Sequence, residues 1–185
     1  MPPRPSHDLV TDLAKIPAHG LMLDTDIPAS ELELAQEEEQ LVAGPVRVQG
    51  RLTKIASEQV YFDGRLEGAF EGECSRCLDP VCEDFKVEAQ AVFVPESFHG
   101  GGEDGDILTD DPDLYTHDGV RLDLYPLVRD QVVLALPVQL LCREECVGLC
   151  QVCGGNRNEQ PCACQVESVD PRFAILQRLN LPQSS

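Results

Sequence analysis

The chain has 185 residues, of which 42% are hydrophobic, and it carries a formal net charge of −19. This length suits one ordinary domain with a modest core and short appendages, and no apolar run reaches the roughly 18 residues that a membrane span needs. Residues 1–5 hold one arginine, and no apolar stretch follows them. The sequence therefore predicts neither a secretory signal nor a membrane contact, and we expect a cytoplasmic protein.

The negative charge is unevenly distributed along the chain. Residues 1–137 hold 10 Lys and Arg against 28 Asp and Glu, whereas residues 138–185 hold 4 against 5. An acidic body repels nucleic-acid phosphates at long range and attracts basic proteins. The plainer interpretation is that the charge only keeps the protein soluble.

The N-terminal part predicts short elements that are joined by an acidic connection. Residues 8–16 are compatible with a short helix, and residues 20–27 with a strand. Residues 31–39 carry five glutamates. This composition indicates a solvated loop or a frayed helix.

The clearest regular segment covers residues 60–74. Apolar residues and glycines occupy its even positions, and charged residues occupy most odd positions. Such alternation is typical of a strand with one buried and one wet face, and the glycines indicate a bulge or close packing of another segment. Residues 46–52 and 85–93 predict neighbouring strands. Because short connections join these segments, we expect an antiparallel sheet.

The second half begins with a segment rich in Gly and Asp, residues 96–119, which we predict to be a mobile acidic loop. A helix is predicted over residues 123–136. Asp123 is its expected cap, Pro137 ends it, and its apolar side should face the sheet.

These elements predict an α+β fold that is dominated by an antiparallel β-sheet and has a few short helices. The sheet domain with its packed helix spans residues 1–137. A cysteine-rich, zinc-organised segment follows over residues 138–165, and a C-terminal helix over residues 166–185 is expected to pack back on the domain.

Cysteine spacing is the most informative feature of the sequence. Eight of the nine cysteines form four close pairs: Cys74 and Cys77, Cys142 and Cys146, Cys150 and Cys153, and Cys162 and Cys164. Zinc takes four tetrahedral ligands, and a CxxC or CxC pair offers two sulfurs from one turn. In a reducing compartment, metal ligation is a better interpretation than disulfides or redox chemistry. We therefore predict two structural zinc ions.

Spacing divides the eight thiols into two groups. Cys150, Cys153, Cys162 and Cys164 lie within 15 residues and can close a site locally. By elimination, the other four form the second site, which would attach the start of the tail to the turn between two strands. The spacing also allows Cys146 and Cys150 to exchange between the two sites. Because structural zinc contributes about 10–16 kcal/mol in small zinc peptides, the tail does not need a core of its own.

The remaining candidates for reactive chemistry are weak. We predict that the ninth cysteine, Cys82, is a small buried apolar side chain. His7, His19, His99 and His117 lie outside the cysteine clusters, and we predict that the last two are exposed loop residues. A catalytic zinc keeps one position open and usually has histidine or carboxylate ligands. The chain also lacks GxxxxGK[ST], GxSxG and HExxH motifs, so we predict neither catalysis nor a small-molecule substrate.

Several stretches, taken in order, resemble the YceD family. They are GECSRCLDPV at 72–81, DLYPLVRDQVVLALPVQLLCREECVGLCQVCGGNRN at 123–158, CAC at 162–164 and DPRFAILQRL at 170–179. The resemblance covers about residues 8–180. A lone CxxC would mean little, but the ordered set is specific.

The resemblance implies a bacterial protein that supports accumulation of the large-subunit (23S) ribosomal RNA. In this family the gene commonly neighbours that of a small zinc-ribbon protein of the large ribosomal subunit. Only the metal ligands carry over, because the family has no established catalytic residues. Some members lack the GLCxxCG tail, so the tail site is an accessory one. Arg157 stands where many members have an apolar residue.

Two hypotheses of different classes follow. The first is a ribosome-assembly factor that binds a basic ribosomal protein or the large-subunit ribosomal RNA precursor. Direct RNA contact would use Arg47, Arg51 and Arg65, which share odd positions, or tail arginines that include Arg143 and Arg157; an ordinary solvated face is the alternative interpretation of the first three. The second hypothesis is a zinc- or thiol-responsive regulator, in which metal loss or oxidation releases the tail.

Overall fold

The computed structural model describes residues 9–56, 58–96 and 114–164. In chain order, the elements are β1 (Val10–Asp12), a 3-10 helix (Leu13–Lys15), β2 (Leu21–Pro28), a 3-10 helix (Ala29–Glu31), α1 (Gln36–Glu39), β3 (Val42–Lys54), β4 (Val60–Glu73), β5 (Pro80–Pro95), β6 (Leu114–His117), β7 (Arg121–Asp123) and α2 (Tyr125–Ala135). None of the helices in these ranges has the length and apolar character that a membrane crossing requires.

The chain divides into two compact units. The sheet unit comprises Met1–Gly72 and Pro80–Leu140, and the cysteine unit comprises Glu73–Asp79 and Leu141–Ser185. The predicted C-terminal helix over residues 166–185 lies outside the described residues.

The sheet unit contains a five-stranded sheet of order β2-β3-β4-β5-β6 and a two-stranded sheet formed by β1 and β7. Strands β2, β3 and β4 pair antiparallel, in the registers Thr25↔Val48 and Val48↔Leu66. The α+β class with a sheet-dominated, mainly antiparallel architecture is thus confirmed.

Strand β6 lies in a segment that was predicted to be a loop. Residues 114–117 are part of the segment expected to be a loop, but they pair parallel to β5, with Val92 opposite Leu114. A parallel pair needs a long crossover, which residues 96–113 are long enough to supply. Of this connection, residues 97–113 lie outside the described part of the chain.

The N-terminal helix prediction is wrong. Val10–Asp12 is a strand that pairs with β7, with Val10 opposite Asp123, and only Leu13–Lys15 is helical, as a single 3-10 turn. Leu9 and Thr11 are buried, so the segment alternates with a period of two. Pairing with a strand more than 100 residues away outweighs the weak local preference of this segment for a helix.

The core of the sheet unit is formed by buried side chains of β3, β4 and β5 together with those of α2. The even positions of β4 are its clearest contribution, since Phe62, Leu66 and Phe70 have at most 1% of their surface exposed. Leu127 and Val132 of α2 are fully buried in the same cluster. The helix begins at Tyr125, whose N–H donates to Asp123 Oδ1 at 2.9 Å.

Candidate metal centres

The cysteine unit brings eight thiols together in two groups of four. The knuckle cluster consists of Cys74, Cys77, Cys142 and Cys146, and the tail cluster of Cys150, Cys153, Cys162 and Cys164. Within each cluster, all sulfur atoms lie within 4.8 Å of one another. The grouping is the one that the spacing favoured, and Cys146 does not exchange with Cys150.

Sulfur separations in the knuckle cluster fit a tetrahedral metal site. Cys74 Sγ lies 3.8 Å from Cys146 Sγ, and Cys77 Sγ lies 3.5 Å from Cys142 Sγ. A metal–thiolate bond of about 2.3 Å implies sulfur–sulfur edges of about 3.8 Å in a regular tetrahedron. The four thiols are therefore already close to the spacing that one bound ion would impose.

The two clusters differ in exposure. In the knuckle cluster, Cys74, Cys77 and Cys146 are buried, with 0%, 3% and 4% of their surface exposed. In the tail cluster only Cys150 is buried, and the other three cysteines are exposed. Solvent and reagents consequently reach the tail cluster more easily.

A tight turn between β4 and β5 presents the first cysteine pair. The N–H of Cys74 donates to the carbonyl oxygen of Asp79 at 2.8 Å, and the N–H of Leu78 donates to that of Cys74 at 2.9 Å. Leu78 adopts a φ of +64°, which is uncommon for a residue with a side chain. The closed turn places two sulfurs on one side, as metal knuckles require.

Backbone donors prepare the knuckle cluster for thiolates. Burial raises the pKa of Cys74, but N–H groups of Cys142, Arg76 and Cys77 hydrogen bond to its sulfur and lower the pKa to about 6. Burial is the main cause that raises the pKa of Cys77; the Asp79 side chain raises it further, whereas the backbone N–H of Asp79 lowers it. Because ligands bind as thiolates, metal binding would release the remaining protons.

In the tail cluster, backbone N–H groups also stabilise a thiolate, and a glycine forms the turn. Backbone N–H groups of Cys153 and Val152 lower the pKa of Cys150 to about 6. A hydrogen bond with Cys153, together with burial, raises the pKa of Cys164 to about 12. Gly154 has a φ of +72°, and its N–H closes the turn onto the carbonyl oxygen of Cys150 at 2.9 Å.

One arginine and one glycine, both missed by the sequence analysis, organise the knuckle cluster. Arg76 Nη1 donates to the carbonyl oxygens of Cys146 at 2.9 Å and Glu144 at 3.2 Å. Gly148 has a φ of +75°, and a Cβ placed there would lie 2.8 Å from the Arg76 carbonyl oxygen. The close approach lets Leu149 N–H donate to that oxygen at 2.9 Å. The only sequence signal for these roles was the position of both residues inside the cysteine motifs.

The predicted basic face is already engaged in cross-strand contacts. Arg47 donates to both carboxylate oxygens of Asp24, at 3.0 and 3.1 Å, and Arg65 donates to Gln49 Oε1 at 2.9 and 3.1 Å. Hydrogen bonds from Arg47 and Gln49 lower the pKa of Asp24. Arg51 lies on the same exposed face, with Nε 3.3 Å from the sulfur of a methionine.

The other two predicted contact residues, Arg143 and Arg157, belong to the cysteine unit and are exposed. The main chain of Arg157 is fixed, since its N–H donates to the carbonyl oxygen of Gly148 at 3.0 Å. Its side chain is exposed to solvent.

Two smaller predictions are wrong. Cys82 is exposed, because it shares the outer face of β5 with Asp84, Lys86 and Glu88. His117 is buried, with 3% of its surface exposed, because it lies on β6. Its Nδ1 accepts from a backbone N–H at 3.0 Å, so Nε2 carries the proton that is donated to a backbone carbonyl at 2.8 Å.

The chain is similar to one protein family and to several bacterial proteins. A family model described as "Large ribosomal RNA subunit accumulation protein YceD" matches residues 62–180. The chain is 29% identical over 171 residues to the uncharacterized protein YlbN of Bacillus subtilis (strain 168), covering 92% of this chain and 94% of that one.

Mycobacterial proteins are also similar. The chain is 33% identical over 129 residues to the uncharacterized protein Rv2926c of Mycobacterium tuberculosis, covering 69% of this chain and 59% of that one. It is 28% identical over 186 residues to the uncharacterized protein ML1660 of Mycobacterium leprae, covering 95% and 79%. No solved structure matches the chain. Since the family model covers well over half of the sequence, the chain belongs to the YceD family, whose members are associated with ribosome biogenesis.

Proposed function

We propose that the protein is a non-catalytic, cytoplasmic factor in ribosome biogenesis that supports accumulation of the large-subunit (23S) ribosomal RNA. The observation that carries this proposal is the match of the family model over residues 62–180, which include all nine cysteines of the chain. The two cysteine clusters are the most distinctive chemistry in that region, and their all-sulfur donor sets suit a structural role.

Zinc is the metal that this donor chemistry fits best. Four thiolates in tetrahedral spacing select zinc or an iron–sulfur centre, and the knuckle and tail turns have the CxxC and CxC spacing of structural zinc sites. One ion would be held by the knuckle cluster and one by the tail cluster. With four protein ligands each, neither ion would keep a position for water, so the zinc would organise the cysteine unit rather than perform chemistry.

A basic ribosomal protein is the partner that the charge favours. The net charge of −19 opposes approach to RNA phosphates and favours a cationic surface. Arg47 and Arg65, the best candidates for phosphate contact in the sheet unit, already donate to Asp24 and Gln49. Precursor RNA, bound through the exposed Arg143 and Arg157, is the second possibility within the same function.

A tagged full-length chain captured from growing bacteria tests the proposal, with half of the lysate treated with ribonuclease. A basic large-subunit protein that stays bound after ribonuclease treatment would identify a protein partner, whereas capture that disappears would identify RNA. RNA contact through several phosphates should also weaken steeply with salt when measured with purified components. Depletion of the protein should lower 23S relative to 16S ribosomal RNA. An unchanged ratio, with neither class enriched, would refute the proposal.

The exposure of the tail cluster favours one alternative, a zinc- or thiol-responsive regulator. Cys153, Cys162 and Cys164 are exposed, so an oxidant can reach them, and Cys150 has a pKa of about 6 that favours the thiolate. Mild peroxide followed by measurement of released zinc tests this function. Unchanged zinc content at physiological oxidant concentrations would remove it.

A further inference from the structure

The connection between the two halves of the tail cluster reaches the knuckle cluster. Residues 154–161 join Cys153 to Cys162, and two asparagines in this connection make hydrogen bonds to the knuckle cluster and its turn. Asn158 Nδ2 donates to Cys146 Sγ at 3.2 Å, and Asn156 Nδ2 donates to Asp79 Oδ2 at 3.0 Å. Asp79 is the residue whose main chain closes the first knuckle. A segment of one site therefore supplies polar contacts to the other.

The two asparagines are held in a defined geometry. Asn158 Oδ1 accepts from the N–H of Val147 at 2.8 Å, which orients its amide group toward Cys146 Sγ. Asn156 Oδ1 accepts from both the N–H and the Nδ2 of Asn158, at 3.0 and 2.9 Å. Both side chains are half-buried. A neutral donor to a metal-bound thiolate stabilises its charge, which is the usual role of groups around a metal site.

The tail cluster controls where this connection lies. Cys150 and Cys153 precede it, Cys162 and Cys164 follow it, and a metal ion held by all four would close it into a loop. A β-bridge pairs Asn156 of this connection with Leu149, which directly precedes Cys150. Without the metal, the first half of the connection would still be held by backbone hydrogen bonds from Cys150 N–H to the Gly155 carbonyl oxygen and from Arg157 N–H to that of Gly148. Its C-terminal end, at Cys162 and Cys164, would lose the attachment that the ion provides.

We propose that the two metal sites are coupled: an ion in the tail cluster holds Asn156 and Asn158 against the knuckle cluster and slows metal loss from it. Release is then ordered. The exposed tail cluster empties first, the asparagine contacts loosen, and the knuckle cluster follows. By thermodynamic linkage, filling the knuckle cluster also strengthens binding at the tail cluster. The inference rests on the metal-binding part of the proposed function and is independent of the partner.

The test uses the zinc-loaded full-length protein and a chromogenic chelator, with zinc release followed over time. In the wild type we expect two phases, the faster from the tail cluster. The double variant Cys162→Ser/Cys164→Ser removes two tail ligands and should hold one zinc ion, which is released faster than the slow phase of the wild type. The expected acceleration is about 10- to 100-fold, the effect of losing contacts around a metal site.

Single variants keep all eight cysteine ligands and guard against a tail that fails to fold. Asn158→Asp preserves the shape and the acceptor but replaces the N–H donor to Cys146, and Asn158→Leu removes the polar group without adding charge. Both should accelerate the slow phase by about 10- to 100-fold. Gln160→Ala, an exposed residue of the same connection, is the matched control and should change it by less than about twofold.

The possible results separate the two proposals. If the purified protein binds fewer than two zinc ions per chain, the metal assignment itself fails, and the coupling fails with it. If two ions are bound but the slow phase is unchanged in both Asn158 variants and in the double cysteine variant, the sites are independent and only the coupling is overturned. Neither result depends on whether the protein acts on ribosomes.

Discussion

Replacing Gly148 with alanine should weaken the knuckle cluster without touching a ligand. Gly148 has a φ of +75°, which costs an alanine about 1–2 kcal/mol. The added Cβ would also lie 2.8 Å from the Arg76 carbonyl oxygen. This is closer than carbon and oxygen approach in ordinary contact, so the backbone must move.

The magnitude follows from the hydrogen bonds that this movement strains. Arg76 accepts from Leu149 N–H at 2.9 Å and donates to the carbonyl oxygens of Cys146 and Glu144 at 2.9 and 3.2 Å. Losing one to three such bonds costs about 1–3 kcal/mol. We therefore expect a total of about 2–5 kcal/mol when this is added to the backbone strain.

Gly154→Ala is the matched control. Gly154 has a φ of +72°, but a Cβ there would meet nothing within 4 Å, so only the strain of about 1–2 kcal/mol applies. Apparent zinc affinity, measured by chelator competition on the full chain, reports both changes because metal binding and local folding are linked. The extra 1–3 kcal/mol at Gly148 corresponds to an additional loss of about 5- to 150-fold. Equal losses in the two variants would show that Gly148 does not pack against Arg76 and would refute the reasoning.

Three further predictions concern the sheet unit and are tested by denaturation of the full chain. Leu127→Ala opens a cavity in the core and should lower the free energy of unfolding in urea by about 2–5 kcal/mol. Leu134→Ala, at a side chain that is 78% exposed, should change this free energy little. Similar losses in the two variants would mean that α2 does not bury the face that contains Leu127. His117→Ala leaves two backbone groups without a partner and should cost about 1–3 kcal/mol, and a neutral result would mean that water replaces both contacts. The carboxylate of Asp24 has a pKa below its ordinary value of 3.8, so its contact with Arg47 contributes stability above that pH and loses it as the pH falls through the lowered pKa. Asp24→Asn should therefore lower the melting temperature slightly at neutral pH, and the difference should vanish in acid; a difference that persists in acid would contradict the assignment.

The strands of the sheet could be predicted because their alternation is local. In β4, the even positions from Val60 to Phe70 are apolar or glycine, and the burial pattern of the strand follows them. A pleated strand turns alternate side chains to opposite faces, so the order of residues alone indicates which face is buried. The same alternation, applied to the polar residues at every second position after Cys82 in β5, would have predicted the exposure of that cysteine.

Contacts between distant segments could not be predicted in this way. The strand at Val10–Asp12 exists because β7 lies beside it, and β6 exists because β5 offers a free edge. Both strands are short, with three and four residues, and carry too few positions for a periodic pattern. The burial of His117 followed from that edge pairing and was invisible in the sequence.

The sequence by itself determined the ligand chemistry of the cysteine unit. Eight cysteines in four close pairs indicate two sites, because a tight turn can direct only nearby sulfurs to one ion. Tertiary structure decided which pairs join, and it assigned Cys146 to the knuckle cluster. It also decided the supporting roles of Arg76, Gly148 and Asn158, since hydrogen bonds between residues separated by 12 to 70 positions depend on how the chain folds back on itself and leave no periodic signal.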